Sequence, residues 1–171
     1  MNLIKNADSE SALSSICPVT GLPILPRPEW TDVGFGGDYR GKGESIVVVD
    51  DVKEQREIAS RMLKKLGYSV TSVSSGEEAI DYLKENSADL LLLDMIMDPG
   101  IDGLETYKRA LRFHPKQKAI ILSGFSETDR VKEAQRLGAG AYVKKPYLLE
   151  KIGLAVRAEL DKFRLGKLGK H

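Results

Sequence analysis

Residues 90–103 read LLLLDMIMDPGIDG. Four leucines run unbroken into Asp94, and a turn carrying Pro99, Gly100 and Gly103 follows. A short continuous apolar run closed by turn residues is the pattern of a strand buried on both faces. An ionised carboxylate at the end of such a strand is costly unless something pairs with it. Asp94 therefore has two readings. It caps free backbone N–H groups at the next helix, or it belongs to a polar site at the edge of a sheet.

Outward from this stretch the chain alternates regularly. SIVVVDD (45–51) is a buried strand, and 53–66 is a helix with Ile58, Met62 and Leu66 at fourfold spacing, Ala59 and Leu63 beside them, and Gly67 ending it. SVTSV (69–73) is a second strand and 76–86 a second helix, with Ala79, Ile80 and Leu83 inward. DLLLLD (89–94) is the third strand, and 104–113 is a helix stopped before Pro115. KAIILS (118–123) leads to a helix at 127–137 closed by Gly138; GAYVKK (140–145) leads to a helix at 148–163 with Leu149, Ile152, Val156, Leu160 and Phe163 on one stripe. Five strands alternating with five helices predict an α/β fold, a doubly wound parallel sheet with helices on both faces. Right-handed crossovers and the length suit a flavodoxin-like (βα)5 order 2-1-3-4-5, whose ligands sit at the carboxyl ends of strands 1 and 3.

Residues 1–43 show no such period. They hold four of the seven prolines, the single tryptophan Trp30, and the loop-like GFGGDYRGKG (34–43). The chain accordingly divides into a proline- and glycine-rich arm or linker (1–43), a domain (44–165) and a basic tail (166–171). Its 171 residues carry a net charge of +1, which gives no sign of a nucleic-acid or membrane surface. One cysteine, Cys17, excludes an internal disulfide and a cysteine metal cluster. The start lacks the apolar run of a signal peptide and no stretch is long enough to span a bilayer, so a reducing, cytoplasmic setting is expected.

The predicted strand ends carry a set of polar residues: Asp50 and Asp51 after strand 1, Asp94 after strand 3, Ser123 after strand 4, and Lys145 followed by Pro146 after strand 5. Each alone has an ordinary explanation as a helix cap, a turn residue or a solvated charge. Together, three carboxylates at one edge repel and raise one another's pKa, and a divalent cation relieves the conflict. Clustered oxygens suit Mg2+ or Mn2+. A lysine and a hydroxyl beside such a metal are the parts that hold a phosphoryl group.

With VVVDD, LLLLDM followed by DG, ILSG and AYVKKP in place, the segment from about Ser45 to Phe163 resembles the receiver domain of bacterial two-component response regulators. The resemblance implies that Asp94 is the phosphoacceptor. It implies that Asp51 holds the metal directly, Asp50 holds it through water, and the backbone carbonyl of Ile96 is a further ligand. Ser123 is then the switch hydroxyl, Lys145 the phosphate-binding lysine, Tyr142 the aromatic switch, and Lys145–Pro146 a candidate cis bond. One departure stands out: Asp98 is inserted before Pro99, so the loop beside the metal is one residue longer than the family's usual spacing.

The expected partner is a histidine kinase or phosphotransfer protein, and the expected response is a change in the surface of helix 4, strand 5 and helix 5. An aspartyl-phosphate hydrolase of the haloacid dehalogenase kind is the rival enzyme reading, but VVVDDV lacks that family's DxDx[TV]. A receiver-like scaffold that is never phosphorylated is the other rival, and the full polar set argues against it. The residues before strand 1 also resemble the joint ahead of receiver domains in hybrid kinases, which leaves a stand-alone regulator and the receiver end of such a kinase both open.

Overall fold

The central strands are runs of apolar, mostly β-branched or leucine side chains and are buried, while the outer two are more exposed, in the computed structural model, which describes residues 39–124 and 128–168, with side chains to 162. The strands are β1 (Ser45–Val49), β2 (Ser69–Val73), β3 (Leu90–Asp94), β4 (Ala119–Ser123) and β5 (Tyr142–Lys144). They form one parallel sheet in the order β2-β1-β3-β4-β5. The helices are α1 (Lys53–Lys65), α2 (Gly76–Glu85), α3 (Gly103–Phe113), α4 (Asp129–Arg136) and α5 (Leu149–Leu168). The flavodoxin-like order predicted from the alternation is thus the observed one.

Strand alternation sorts the core into two layers. Val47, Val49, Leu91, Leu93, Ala119 and Ile121 face α2, α3 and α4 through Ala79, Leu83, Tyr107, Ala110, Val131 and Ala134. Ile46, Val48, Leu90, Leu92, Ile120, Leu122 and Val143 face α1 and α5 through Ala59, Leu63, Ile152 and Val156. Leu90 to Leu93 are all fully buried, worth roughly 2 kcal/mol each on transfer from water. The same alternation holds at the strand ends and for the residue just past them. Asp50, Asp94 and Lys145 have the parity of Val48, Leu92 and Val143, whereas Ser123 and Lys144 have the opposite parity.

Several boundaries differ from the sequence pattern. In α1 the buried residues are Ala59, Ser60 and Leu63, while Ile58 is 47% exposed. The apolar stripe is turned by one residue, because Ala59 and Leu63 alone let the helix approach the sheet closely. β5 spans three residues rather than six, and Lys145 lies just beyond it. α5 runs to Leu168, past the expected end at Phe163. The expected start of the fourth helix at 127 lies outside the described residues; Thr128 caps α4 by accepting from the Val131 N–H.

Tyr39 to Gly43, at the end of the proline- and glycine-rich region, lie along α1 and α5. The Gly41 N–H donates to the Leu66 carbonyl at 2.6 Å, and the Tyr68 hydroxyl donates to the Tyr39 carbonyl at 3.1 Å. The rest of the expected arm, residues 1–38, and the end of the expected tail, 169–171, lie outside the described residues. No described helix is long and apolar enough to cross a membrane.

Candidate functional site

The carboxyl ends of β1 and β3 are neighbours, so the residues that follow them meet. Carboxylate oxygens of Asp50, Asp51 and Asp94 lie within 4.8 Å of one another. Asp50 is 1% exposed and Asp94 6%, while Asp51 is half-buried at the mouth. The capping reading accounts for little of this. Asp50 Oδ1 accepts from the Val52 N–H at 2.9 Å, but the first turn of α1 has no side-chain cap, and α3 is capped by Asp102, not Asp94.

Lys145 reaches into the cluster from the β5–α5 loop. Its Nζ lies 2.8 Å from Asp50 Oδ2 and 3.5 Å from Asp94 Oδ2, and its side chain is 15% exposed. Lys144, one residue earlier, points the other way and is exposed, as alternation requires. The Lys145–Pro146 peptide is cis. Arg56 donates to the Asp50 carbonyl at 2.7 Å and so ties α1 to the same corner.

Burial pushes the Asp94 carboxyl up to about 6. Lys145 and the Ile96 N–H, which bonds its carboxylate, act downward; Asp50 and Asp51 act upward. Three acids facing one ammonium leave a surplus of negative charge. Hard carboxylate oxygens at this spacing fit a divalent cation such as Mg2+ or Mn2+.

The remaining predicted residues surround this cluster. Ser123 is buried at the end of β4 and, with Met95, Ile96, Thr128 and Arg130, lines a recess of about 500 Å³ beside Asp94. The Ile96 side chain is 53% exposed. Tyr142 is half-buried on the opposite layer, against the apolar cluster of α2, α3 and α4. Gly103 lets α3 start directly beneath the site, since a Cβ there would come within 2.4 Å of the Asp94 carbonyl oxygen. The inserted Asp98 does not join the three acids; its N–H donates to Asp51 Oδ2 at 3.3 Å, and the Asp98–Pro99 peptide is cis.

Two features were not read from the sequence. Arg130 at the start of α4 forms an ion pair with Asp102, closing one wall of the recess. Tyr147, two residues past Lys145, is buried in the α1/α5 layer. The signal for Tyr147 was its position immediately after the KKP run, in phase with Val143 and Lys145.

Comparison with known proteins agrees with this geometry. The chain is 33% identical over 117 residues to sporulation initiation phosphotransferase F of Bacillus subtilis, covering 68% of this chain and 94% of that protein. It is 32% identical over 127 residues to the transcriptional regulatory protein ZraR of Klebsiella oxytoca, covering 74% of this chain but 28% of that protein. In fold it resembles a CheY-like receiver domain protein from Methanospirillum hungatei, with TM-score 0.68, 22% identity, and 73% and 99% of the two chains covered. It also resembles the N-terminal domain of a response regulator/sensory box/GGDEF three-domain protein from Carboxydothermus hydrogenoformans, with TM-score 0.66, 26% identity, and 75% and 100% covered. Residues 46–157 match the response regulator receiver domain, and the chain belongs to that family.

Proposed function

We propose that Asp94 is the phosphoacceptor of a two-component phosphorelay, taking its phosphoryl group from a phosphohistidine on a histidine kinase or phosphotransfer protein. The observation that carries this reading is the cluster itself, three carboxylates within 4.8 Å with Lys145 bonded between Asp50 and Asp94. An Asp94 oxygen attacks phosphorus, the P–N bond breaks, and the imidazole leaves with a proton, giving an acyl phosphate. Asp51 and Asp94 would hold Mg2+ (or Mn2+) directly, Asp50 through water, with the Ile96 carbonyl as a further ligand. The metal, when bound, neutralises charge on the phosphoryl oxygens, and the protein's share of the work is positioning.

The same residues complete the response. Ser123 and Lys145 bond the phosphoryl oxygens, Lys145 by a short move from Asp50 toward Asp94. The shift of Ser123 makes room for Tyr142 to turn inward, and the α4–β5–α5 surface changes with it. The domain is a cytoplasmic signalling phosphoacceptor that promotes its own phosphorylation and slowly hydrolyses the product. An exposed, apolar Ile96 at the mouth supports slow hydrolysis, because it has no hydrogen bond with which to orient a water. The name phosphotransferase borne by the Bacillus subtilis relative supports the partner class.

Incubation of the chain with Mg2+ and acetyl phosphate, followed by intact-mass measurement, tests the reading. One phosphoryl group is expected on the unaltered chain, none on Asp94→Asn and none in EDTA. Modification of Asp94→Asn to the same extent would overturn it.

A further inference from the structure

We propose that residues 39–43 are a strap gripped by α5, and that this grip restrains the movement of α5 that follows phosphorylation of Asp94. Such regulation rests on the reading of Asp94 as the phosphoacceptor. The strap acts through α5, from the amino end of the sheet.

The strap fills space that α5 leaves for it. Gly153 lies inside α5, where a glycine costs helix stability relative to alanine. The ring of Tyr39 occupies the room a side chain would need: a Cβ on Gly153 would come within 2.7 Å of Tyr39 Cδ2 and 3.0 Å of Leu66 Cδ1. Gly41 is held as closely, since a Cβ there would come within 2.5 Å of the Tyr68 ring. Backbone bonds fix the rest. The Gly41 N–H donates to the Leu66 carbonyl at 2.6 Å and the Gly43 N–H to the Gly67 carbonyl at 3.3 Å, while the Tyr68 hydroxyl donates to the Tyr39 carbonyl at 3.1 Å. Arg157 lies one helical turn after Gly153 and so on the same face of α5. It donates to the Arg40 carbonyl at 3.4 Å and to Glu44 Oε1 at 2.8 Å.

These contacts bridge two elements. The Tyr39 ring, Arg40 and Glu44 meet α5, whereas Gly41 and Gly43 bond the turn from α1 to β2. A displacement of α5 against α1 therefore breaks one set of contacts or the other. α5 begins four residues after Lys145. With the strap engaged, Lys145 bonds Asp50 at 2.8 Å and stands 3.5 Å from Asp94. A phosphoryl group on Asp94 draws that ammonium off Asp50, and the β5–α5 loop carries the displacement into α5. Strap and phosphoryl group thus favour different positions of one helix. Such preferences are reciprocal: occupation of the site loosens the strap, and loss of the strap tightens the site.

The experiment uses the full chain, with beryllium fluoride and saturating Mg2+ as the phosphoryl mimic. Hydrogen–deuterium exchange reads the strap through the Gly41 and Gly43 amides, and a titration reads the affinity for the mimic. About five-fold faster exchange of those amides is expected with the mimic bound than with Mg2+ alone. About five-fold tighter binding of the mimic is expected in Tyr39→Ala, and in Gly153→Ala, which drives the ring from its notch with a better helix former. Damage to a merely structural strap would leave that affinity unchanged or lower it. Unchanged exchange at Gly41 and Gly43 with the mimic bound, or equal or weaker binding in a variant that folds, would overturn the proposal while leaving the acceptor site standing. Failure of the unaltered chain to bind the mimic would overturn the reading of Asp94 and this restraint with it. Exchange on the unaltered chain decides the matter even where neither variant folds.

Discussion

At the amino end of the sheet Arg157 bonds Glu44 and Asp161 at 2.8 Å, whereas at the carboxyl end Asp50, Asp51 and Asp94 gather around the ammonium of Lys145. Both ends are partly buried and both are built from charged residues. At the amino end the charges balance, because Asp89, Lys116 and Lys118 line the same recess and bring it to three acids and three bases. Burial works against the Glu44 carboxylate, yet the bonds from Arg157 and the Lys42 N–H hold it below its usual range. The bond to Asp161, opposed by burial and reinforced by Glu44, keeps the Arg157 guanidinium firmly charged. At the carboxyl end they do not balance, and burial raises Asp94 instead. A balanced cluster holds structure together; an unbalanced one is poised to take a cation and a reacting group. That contrast can be broken or sharpened by experiment.

The largest effect is expected at the unbalanced end. Asp94→Asn removes phosphoryl acceptance completely while raising the melting temperature in EDTA, because it deletes one of three mutually repelling carboxylates. Intact mass and calorimetry on the same sample check both halves. A lower melting temperature would show that Asp94 is stabilising and would sink the contrast.

Next in size is Arg157→Met at the balanced end. It leaves Glu44 and Asp161 without their shared cation and frees the Tyr39–Glu44 segment, which Arg157 also holds through the Arg40 carbonyl at 3.4 Å. A loss of about 2–3 kcal/mol is expected in urea unfolding, since the side chain is mostly buried and its partners lose charge-assisted bonds. Mg2+ affinity is expected to stay unchanged, because the two ends share no charged contact.

Acid separates the two ends again. The Asp94 pKa of about 6 in the folded protein lies above its ordinary 3.8, so the folded state holds that proton more tightly than the unfolded chain. The resulting penalty is absent below the ordinary value, grows as pH rises through about 6, and is full at neutral pH. In EDTA, lowering the pH from about 7 to about 5 is therefore expected to stabilise the domain by about 1–2 kcal/mol, allowing for the partly open mouth. Glu44 and Glu78 have lowered pKa values and contribute stability that is lost only on further acidification. With saturating Mg2+ the gain between pH 7 and 5 disappears or reverses. Chemical denaturation across this range is the measurement, and a flat profile in EDTA would contradict the raised Asp94 carboxyl.

Much of this was legible in the sequence, for reasons that also mark where legibility stops. SIVVVDD and LLLLD announce buried parallel strands, and strand ends in a doubly wound sheet share one edge, so Asp50, Asp51, Asp94 and Lys145 could be placed together. Alternation says that Lys144 and Lys145 cannot both face the site, and the register beside Pro146 picks Lys145. The face of α1 could not be read as well, because Ile58 and Met62 outweigh Ala59 in apolar character, yet small Ala59 is what the sheet admits. The anchoring of Tyr39 and Gly41 depends on Leu66 and Tyr68, more than twenty residues away, and carries no periodic signal.

The smallest expected effect concerns the extra residue beside the three acids, Asp98, in the loop that follows β3. The loop Asp98–Ile101 is held from both sides. Its Asp98 N–H donates to Asp51, and Glu77, in the first turn of α2, accepts from the Ile101 N–H at 2.9 Å. Gly100 has φ +113°, and a Cβ there would come within 2.8 Å of the Glu77 carboxylate, so loop and side chain fit closely. Glu77 thus reaches Asp51 through the inserted segment, and removing it lets the loop move and withdraws a donor from the Asp51 carboxylate. Glu77→Ala is expected to weaken Mg2+ binding about three-fold, or about 0.7 kcal/mol, with little change in melting temperature because the carboxylate is exposed. Glu77→Gln keeps an acceptor for the Ile101 N–H and is expected to bind Mg2+ nearly as the unaltered chain does. If Glu77→Ala binds Mg2+ unchanged, the longer loop is a passenger, and the carboxyl end owes its metal affinity to the sheet alone.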